Sequence, residues 1–207
     1  MITDVQHADD IDEWANVPEE DIINKNDPSS MAAGVLEGLA ECLGEKTTIA
    51  CCLPIIKECT ENKEKWQFRM AGFTILGLIS EVGAKTFKAN LDETLKTSAS
   101  GLLDEHPRVR FAALMSLGLL MDVLSPDVQK KYHADIMNAL IKMMQEETYI
   151  KMKSQVISCT CNFVKGLIPL DDEGEEVKVT EEGKQILGLY YEPLVKQISS
   201  LFELSIA

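Results

Sequence analysis

Apolar residues recur three or four positions apart through most of this chain, and short polar turns separate the stretches that show this spacing. The pattern predicts helices over about 30–43, 47–60, 65–82, 85–103 (with an interruption near Leu91), 107–124, 126–145, 148–166 and 184–205. No segment shows the sustained two-residue alternation of a half-buried strand. The sequence therefore predicts an all-α protein.

Two of these stretches repeat one pattern. Residues 66–77 and 107–118 align without gaps, so that Arg69 and Arg110 lie 41 residues apart. A period of about 40–47 residues built from helix pairs is typical of HEAT and armadillo solenoids. Extending the pattern outward gives the second helices of four successive units, at about 30–43, 65–82, 107–124 and 149–166.

The predicted fold is an α-solenoid of about four HEAT repeats, each an antiparallel helix pair. Because the first unit consists of a second helix alone and the last apolar stretch, 194–202, has no partner helix, we expect a fragment of a longer superhelix. The expected organisation is an acidic flexible loop, HEAT repeats, a second acidic loop and the first helix of a further, truncated repeat, at 1–28, 29–168, 169–183 and 184–207.

Charge is concentrated in the two loops. The net charge is −14, of which residues 1–28 contribute −8 and residues 171–182 contribute −6. A nucleic acid ligand is not expected, because binding to phosphates requires a basic surface. A basic protein partner suits this distribution better. No apolar run reaches the roughly 18 residues of a membrane helix, so no membrane partner is expected either.

The residue types that carry catalysis or bind metals form no recognisable arrangement. The six cysteines include no CxxC pair and fall in apolar helical stretches, which favours small buried side chains over zinc ligands. No two of the three histidines have a metal-binding helical spacing. The chain has no glycine-rich phosphate loop and no nucleophile motif. We therefore predict no cofactor, no metal and no enzymatic activity.

An acid and a base recur at the start of the second helices. Asp104 lies in a turn six residues before Arg110, and Glu147 precedes Lys153 by the same distance. An acid in the turn and a cation one helical turn into the helix can pair with each other and with neighbouring repeats. Arg69 occupies the equivalent position of the preceding unit, so these residues predict a structural ladder through the stack: Asp104, Arg110, Arg69 and Lys153.

Several segments in order resemble the middle of importin-β-type nuclear transport receptors. They are Asp9-Asp10-Ile11-Asp12-Glu13-Trp14-Ala15-Asn16, Ala32-Ala33-Gly34, Leu53-Pro54-Ile55-Ile56-Lys57 and Lys65-Trp66-Gln67-Phe68-Arg69-Met70-Ala71-Gly72. Residues 106–113 and 129–133 resemble the karyopherin-β3 branch most. The resemblance covers nearly the whole chain.

The resemblance implies a receptor that carries proteins through nuclear pores, shuttles between cytoplasm and nucleus, and binds Ran GTPase, basic cargo proteins and nucleoporins. In that family an acidic loop of a central repeat contacts Ran, which by position implies Asp9, Asp10, Asp12, Glu13 and Trp14 here. Cargo in that family binds along the second helices. Spacing from the core residues predicts five exposed positions there: Glu37, Glu41, Glu81, Asp122 and Asn162.

A non-transport HEAT scaffold of the phosphatase-scaffold type is the alternative. Scaffolds of that class have more uniform repeats and short loops. The repeat spacing here drifts from 39 to 43 residues, and two long acidic loops interrupt the stack. Both features favour the receptor.

Overall fold

The computed structural model describes residues 10–16, 28–168 and 179–206, and regular structure within these ranges is entirely helical. The elements are α1 (Ile11–Asn16), α2 (Pro28–Thr60), α3 (Trp66–Leu78), α4 (Ala84–Ala89), α5 (Leu91–Ser100), a 3₁₀ turn (Gly101–Leu103), α6 (Pro107–Val123), α7 (Asp127–Glu146), α8 (Ile150–Lys165) and α9 (Glu181–Ile206). None of the helices in these ranges is long and apolar enough to cross a membrane. The predicted all-α class is confirmed.

The helices stack as successive pairs in two rows. The second helices of the pairs lie side by side, with α3 packed against α6 and α6 against α8. Within the pairs, α5 packs against α6 and α7 against α8, and α7 also contacts α9 in the row of first helices. This arrangement is the predicted HEAT-type stack.

Backbone breaks separate the helical segments where the sequence predicts them. The element α2 contains two helical segments that meet at Gly44, whose φ of 72° and ψ of 172° are not helical. Glycine adopts a positive φ without the steric penalty that a Cβ would bring. The next first helix is divided into α4 and α5 at Asn90, beside the interruption predicted near Leu91.

The core lies between the two rows and continues between neighbouring second helices. Its largest fully buried side chains come from α3, the turn after it, α6, α7 and α8: Phe73, Ile79, Val109, Leu114, Leu117, Leu120, Met121, Gln129, Met137, Leu140, Met152 and Phe163. The helices α3 and α6 approach closely at Gly77, where an added Cβ would lie 3.3 Å from the Cα of Ser116. Small residues on the second helices therefore bring consecutive repeats together.

The prediction of a flexible acidic loop over 1–28 is wrong for residues 10–16, which form α1. Trp14 explains the difference, because its side chain is only 6% exposed and attaches this charged segment to the stack. Composition registers the many charges but not the burial of one aromatic ring. The rest of the first loop, 1–9 and 17–27, lies outside the described residues.

The last helix also begins earlier than predicted. The helix α9 starts at Glu181 instead of residue 184, because the Thr180 hydroxyl accepts a 3.1 Å hydrogen bond from the Gly183 backbone N–H and caps the first turn. Most of the second acidic loop, 169–178, lies outside the described residues.

The expectation of buried cysteines is wrong for three of the six: Cys42, Cys51 and Cys161 are exposed.

Candidate functional site

The buried residue of α1, Trp14, packs this helix against the stack. The Trp14 ring meets Phe111 of α6 edge to face, with the ring centroids 5.6 Å apart. The Lys151 Nζ, at the start of α8, lies 5.1 Å from the Trp14 ring centroid and donates a 2.8 Å hydrogen bond to the Trp14 carbonyl. Because Phe111 and Lys151 belong to consecutive second helices, α1 spans two repeats.

Cations and aromatic rings continue from Trp14 along the beginnings of the second helices. The Arg108 guanidinium carbon lies 5.5 Å from the Trp14 ring centroid and 5.4 Å from that of Trp66. The ring of His106 stacks on Trp66 at 3.9 Å with an interplanar angle of 7°. We call Lys151, Trp14, Arg108, Trp66 and His106 the cation–aromatic column. Each cation over a ring face is attracted by the quadrupole of the ring.

His106 is a neutral member of this column. Burial and then the positive charge of Arg108 lower the pKa of His106 to about 4. The neutral ring accepts a 3.3 Å hydrogen bond at Nδ1 from the Arg108 backbone N–H, which caps the start of α6. His106 therefore fixes the first turn of α6 and presents its ring to Trp66.

The acidic side chains of α1 are accessible to solvent. Asp10, Asp12 and Glu13 are exposed, while Trp14 faces the second helices. Asp10 Oδ1 accepts a 2.8 Å hydrogen bond from the Glu13 backbone N–H, and Asp12 Oδ1 accepts one of 3.2 Å from the Tyr149 hydroxyl. A partner would meet the carboxylates and not the Trp14 ring. Asp9, the remaining acid predicted here, lies outside the described residues.

A bidentate ion pair joins the second helix α3 to the turn of the next repeat. Arg69 of α3 donates from Nε to Asp104 Oδ2 at 2.6 Å and from Nη2 to Asp104 Oδ1 at 3.0 Å, and both side chains are 11% exposed. Arg69 also donates to the carbonyl of Asn62, in the turn of its own repeat, at 3.2 Å. The Arg69 side chain thus bridges two turns.

Electrostatics in this pair favour the charged forms. Burial alone would raise the pKa of Asp104, but the hydrogen bonds from Arg69 and from the His106 backbone N–H together with the Arg69 charge hold it below its ordinary value. The hydrogen bond to Asp104 raises the pKa of Arg69. Arg69 and Asp104 therefore both carry their charges at neutral pH.

The same geometry recurs one repeat later. Arg110 of α6 donates to Glu147 Oε1 at 2.7 Å and to Glu147 Oε2 at 3.0 Å, and it bonds the carbonyl of Asp104 in its own turn at 3.0 Å. The carboxylate that each arginine binds thus belongs to the following repeat, and Asp104 offers Arg110 only its backbone carbonyl. Lys153 of α8 occupies the next position of this series and is partly buried.

The predicted cargo-facing positions divide in two. Four are exposed: Glu37, Glu41, Glu81 and Asp122. The prediction of an exposed side chain is wrong for Asn162, which is partly buried and donates a 3.3 Å hydrogen bond to the Gly118 carbonyl. Because α8 packs closely on α6 at Gly118, Asn162 connects two second helices and does not face solvent.

Sequence reasoning missed the basic half of the column. Arg108 and Lys151 stand in the first turns of α6 and α8, 43 residues apart, and are 8% and 6% exposed. A cation in the first turn of a helix opposes the helix dipole, so two at one repeat position signal a specific contact. That signal was present in the sequence, but the identity of the contacting ring was not.

Among the residues that the structure describes, no group of three or more His, Cys, Asp or Glu side chains could hold a metal ion. The arrangement of α1 and the column instead supplies exposed negative charge on a fixed support. Such a surface suits charge-assisted hydrogen bonds with basic groups.

No protein-family model matches the sequence. Solved structures of Kap121p do match in fold. The crystal structure of Kap121p superposes with a TM-score of 0.81 and 22% sequence identity, over 97% of this chain and 18% of Kap121p. The structures of Kap121p bound to RanGTP and bound to Pho4p each give a TM-score of 0.79 and 22% identity, over 95% and 98% of this chain. Kap121p, which has also been solved bound to the SUMO protease Ulp1p, is a karyopherin. The chain therefore has the HEAT-repeat fold of a karyopherin and spans about a fifth of the length of Kap121p.

Proposed function

We propose that this chain is part of a nuclear transport receptor of the karyopherin-β type, and that it contributes to binding basic cargo signals and Ran-GTP. Its fold supports the proposal, since Kap121p has been solved with RanGTP, with the nucleoporin Nup53p and with Pho4p. The proposal includes a binding and not a catalytic role, passage through nuclear pores, and shuttling between cytoplasm and nucleus.

The observation that carries the cargo part is a series of exposed carboxylates on the second helices. Glu37 and Glu41 lie on α2, Glu81 lies just after α3, and Asp122 lies on α6. Ammonium groups of a lysine-rich segment would form charge-assisted hydrogen bonds with them. The series ends at α8, where the exposed Lys165 stands 43 residues after Asp122.

Exposed apolar side chains lie on the same second helices as these acids. On α2, Val35 is 62% exposed and Leu39 is 51% exposed, and on α6 Met115 is 45% exposed. Lysine stems are aliphatic and bury their methylene groups against such surface while the ammonium group reaches a carboxylate. The second helices therefore suit a lysine-rich peptide better than a compact cation.

The proposed contact with Ran uses the exposed carboxylates of α1. They belong to Asp10, Asp12 and Glu13, and Trp14 anchors the helix to α6 and α8. An anchored helix loses less conformational entropy on binding than a flexible tail, so the same carboxylates bind more tightly. Basic groups of Ran are the proposed counterpart.

A charge-neutralisation experiment on the full chain tests the cargo surface. Binding of a fluorescent lysine-rich peptide is measured by anisotropy for the chain and for the variant with Glu37→Gln and Glu41→Gln. We expect about a tenfold loss, because each exposed ion pair contributes under about 1 kcal/mol and two are removed. The control variant, Glu93→Gln, removes an exposed acid from the first helix α5 and should bind the peptide like the parent chain. Equal affinities for all three proteins would rule out this surface.

A further inference from the structure

The ring of Trp14 fills a slot whose walls belong to distant parts of the chain. We propose that this slot, bounded by Arg108, Phe111 and Lys151, is a recognition site for an acidic helical segment that carries an aromatic residue, and that α1 is its internal ligand. The inference does not depend on the proposed function, because the partner it describes is acidic and not basic.

The walls of the slot are part of the stack. Arg108 and Phe111 come from α6, and Lys151 comes from α8, 137 residues after Trp14. Both cations are more than nine-tenths buried. Positive charge in the first turn of a helix opposes the helix dipole, so stability of α6 or α8 alone does not account for either side chain. Their positions are favourable when a ring face and a hydrogen-bond acceptor lie against them.

Trp14 supplies both of these groups. Its ring faces the two cations at 5.5 Å and 5.1 Å and meets Phe111 edge to face. Its backbone carbonyl accepts the Lys151 hydrogen bond at 2.8 Å. The slot therefore recognises an aromatic side chain together with the backbone carbonyl of the residue that carries it.

A second contact of the stack binds a carboxylate close to the ring. Asp12, two residues before Trp14, accepts a hydrogen bond from the Tyr149 hydroxyl at 3.2 Å. Tyr149 immediately precedes α8 and so belongs to the same end of the stack as Lys151. A segment of another protein with a carboxylate two residues before an aromatic residue, in helical form, meets the same donors.

The covalent link to the chain makes α1 a competitor of any such partner. A tethered ligand acts at an effective concentration of about 1 mM. With an intrinsic Kd of about 100 µM for α1 itself, a partner binds the intact chain ~10-fold more weakly than a chain with an open slot. Opening the slot should therefore reveal binding that the intact chain largely suppresses.

Two full-length variants open the slot in different ways. Trp14→Ala removes the internal ring, and Ala15→Pro breaks α1 while leaving Trp14 and every wall residue unchanged. The probe is a fluorescent, acetylated peptide with the sequence of residues 10–16, and a second peptide carries Ala in place of its Trp. Circular dichroism first verifies that both variants retain the helicity of the parent chain apart from the few residues of α1.

We expect both variants to bind the Trp peptide about tenfold more tightly than the parent chain does. Adding Lys151→Gln to Trp14→Ala should abolish this gain, whereas adding Lys131→Gln, which removes an exposed cation of α7, should leave it intact. The inference is overturned by equal affinities for the parent chain and both variants, by equal binding of the Ala peptide, or by equal effects of the two lysine substitutions. A failure of basic-peptide or Ran binding leaves each of these outcomes unchanged.

Discussion

The Arg69–Asp104 pair predicts a large difference between two substitutions that look alike in sequence. Asp104→Asn removes a carboxylate that lies 2.6 Å from Arg69 where both side chains are 11% exposed. Asp92→Asn removes a carboxylate at the same distance from Lys131, but those side chains are 75% and 58% exposed. Burial is therefore the variable that separates the two variants.

Removing one partner of a buried pair costs about 3–5 kcal/mol, because the remaining charge stays buried without its counter-ion. Asp104→Asn should fall near the lower end, about 3 kcal/mol, since Glu105 remains 3.6 Å from Arg69, although it is 88% exposed. Such a loss lowers the melting temperature by roughly 6–12 °C for a chain of this size. Asp92→Asn should cost under about 1 kcal/mol.

Urea unfolding followed by circular dichroism at neutral pH measures both free energies, and Arg69→Met with Asp104→Asn completes a double-mutant cycle. The pH dependence provides a second readout. Because the folded state lowers the pKa of Asp104, its contribution is complete above the unfolded value of about 4 and is lost as the pH falls through the folded value. The parent chain and Asp104→Asn should therefore converge in strong acid. Equal costs for Asp104→Asn and Asp92→Asn would show that burial does not strengthen the Arg69–Asp104 pair.

Three further predictions concern packing, protonation and thiol access. Gly77→Ala should destabilise the stack by about 1–3 kcal/mol in urea unfolding, because its Cβ would crowd α6, whereas Gly34→Ala, in open space on α2, should stabilise it by up to about 1 kcal/mol. Equal effects of the two substitutions would contradict the close packing of α3 on α6. The free energy of unfolding should fall by up to about 3 kcal/mol as the pH drops from about 6.5 to about 4, since in this range only the unfolded chain protonates His106. His106→Gln should remove this part of the pH dependence of stability, and an unchanged pH dependence would contradict a neutral His106. Cys161 should react with a thiol reagent much faster than Cys159, which is 1% exposed and whose pKa burial raises to about 12; equal rates, read by mass spectrometry of each peptide, would contradict the fold.

Local pattern predicted most of the fold because helix periodicity and turn residues act over a few positions. The break at Gly44 and the one beside Leu91 both follow from residues that end helices nearby. The pairs of helices follow from the repeat itself, since each unit can bury its apolar face only against its neighbours.

Long-range contacts decided what the sequence did not predict. The stretch that holds α1 has the composition of a solvated segment, and its helix depends on Phe111 and Lys151, which lie 97 and 137 residues beyond Trp14. The position of Asn162 depends on how closely α8 approaches Gly118, which the spacing of core residues does not specify.

The ladder of arginines and acids was also predicted only in part. Spacing identified the arginines and the acids of the turns, but not which acid each arginine binds. An arginine side chain is long enough to pass its own turn, so Arg110 binds that turn through the carbonyl of Asp104 and places its guanidinium against Glu147 of the next repeat. Only the distance between repeats selects this pairing.

The most direct test of the proposed receptor function is the binding of Ran to this chain in its two nucleotide states. Biolayer interferometry with immobilised chain measures Ran loaded with GTP and Ran loaded with GDP, each at low and at high salt. We expect the chain to bind the GTP form in preference to the GDP form, and this binding to weaken as salt screens the α1 carboxylates. The variant with Asp10→Asn and Glu13→Gln should bind more weakly still. Absence of binding at low salt, or equal binding of both nucleotide forms, would contradict it.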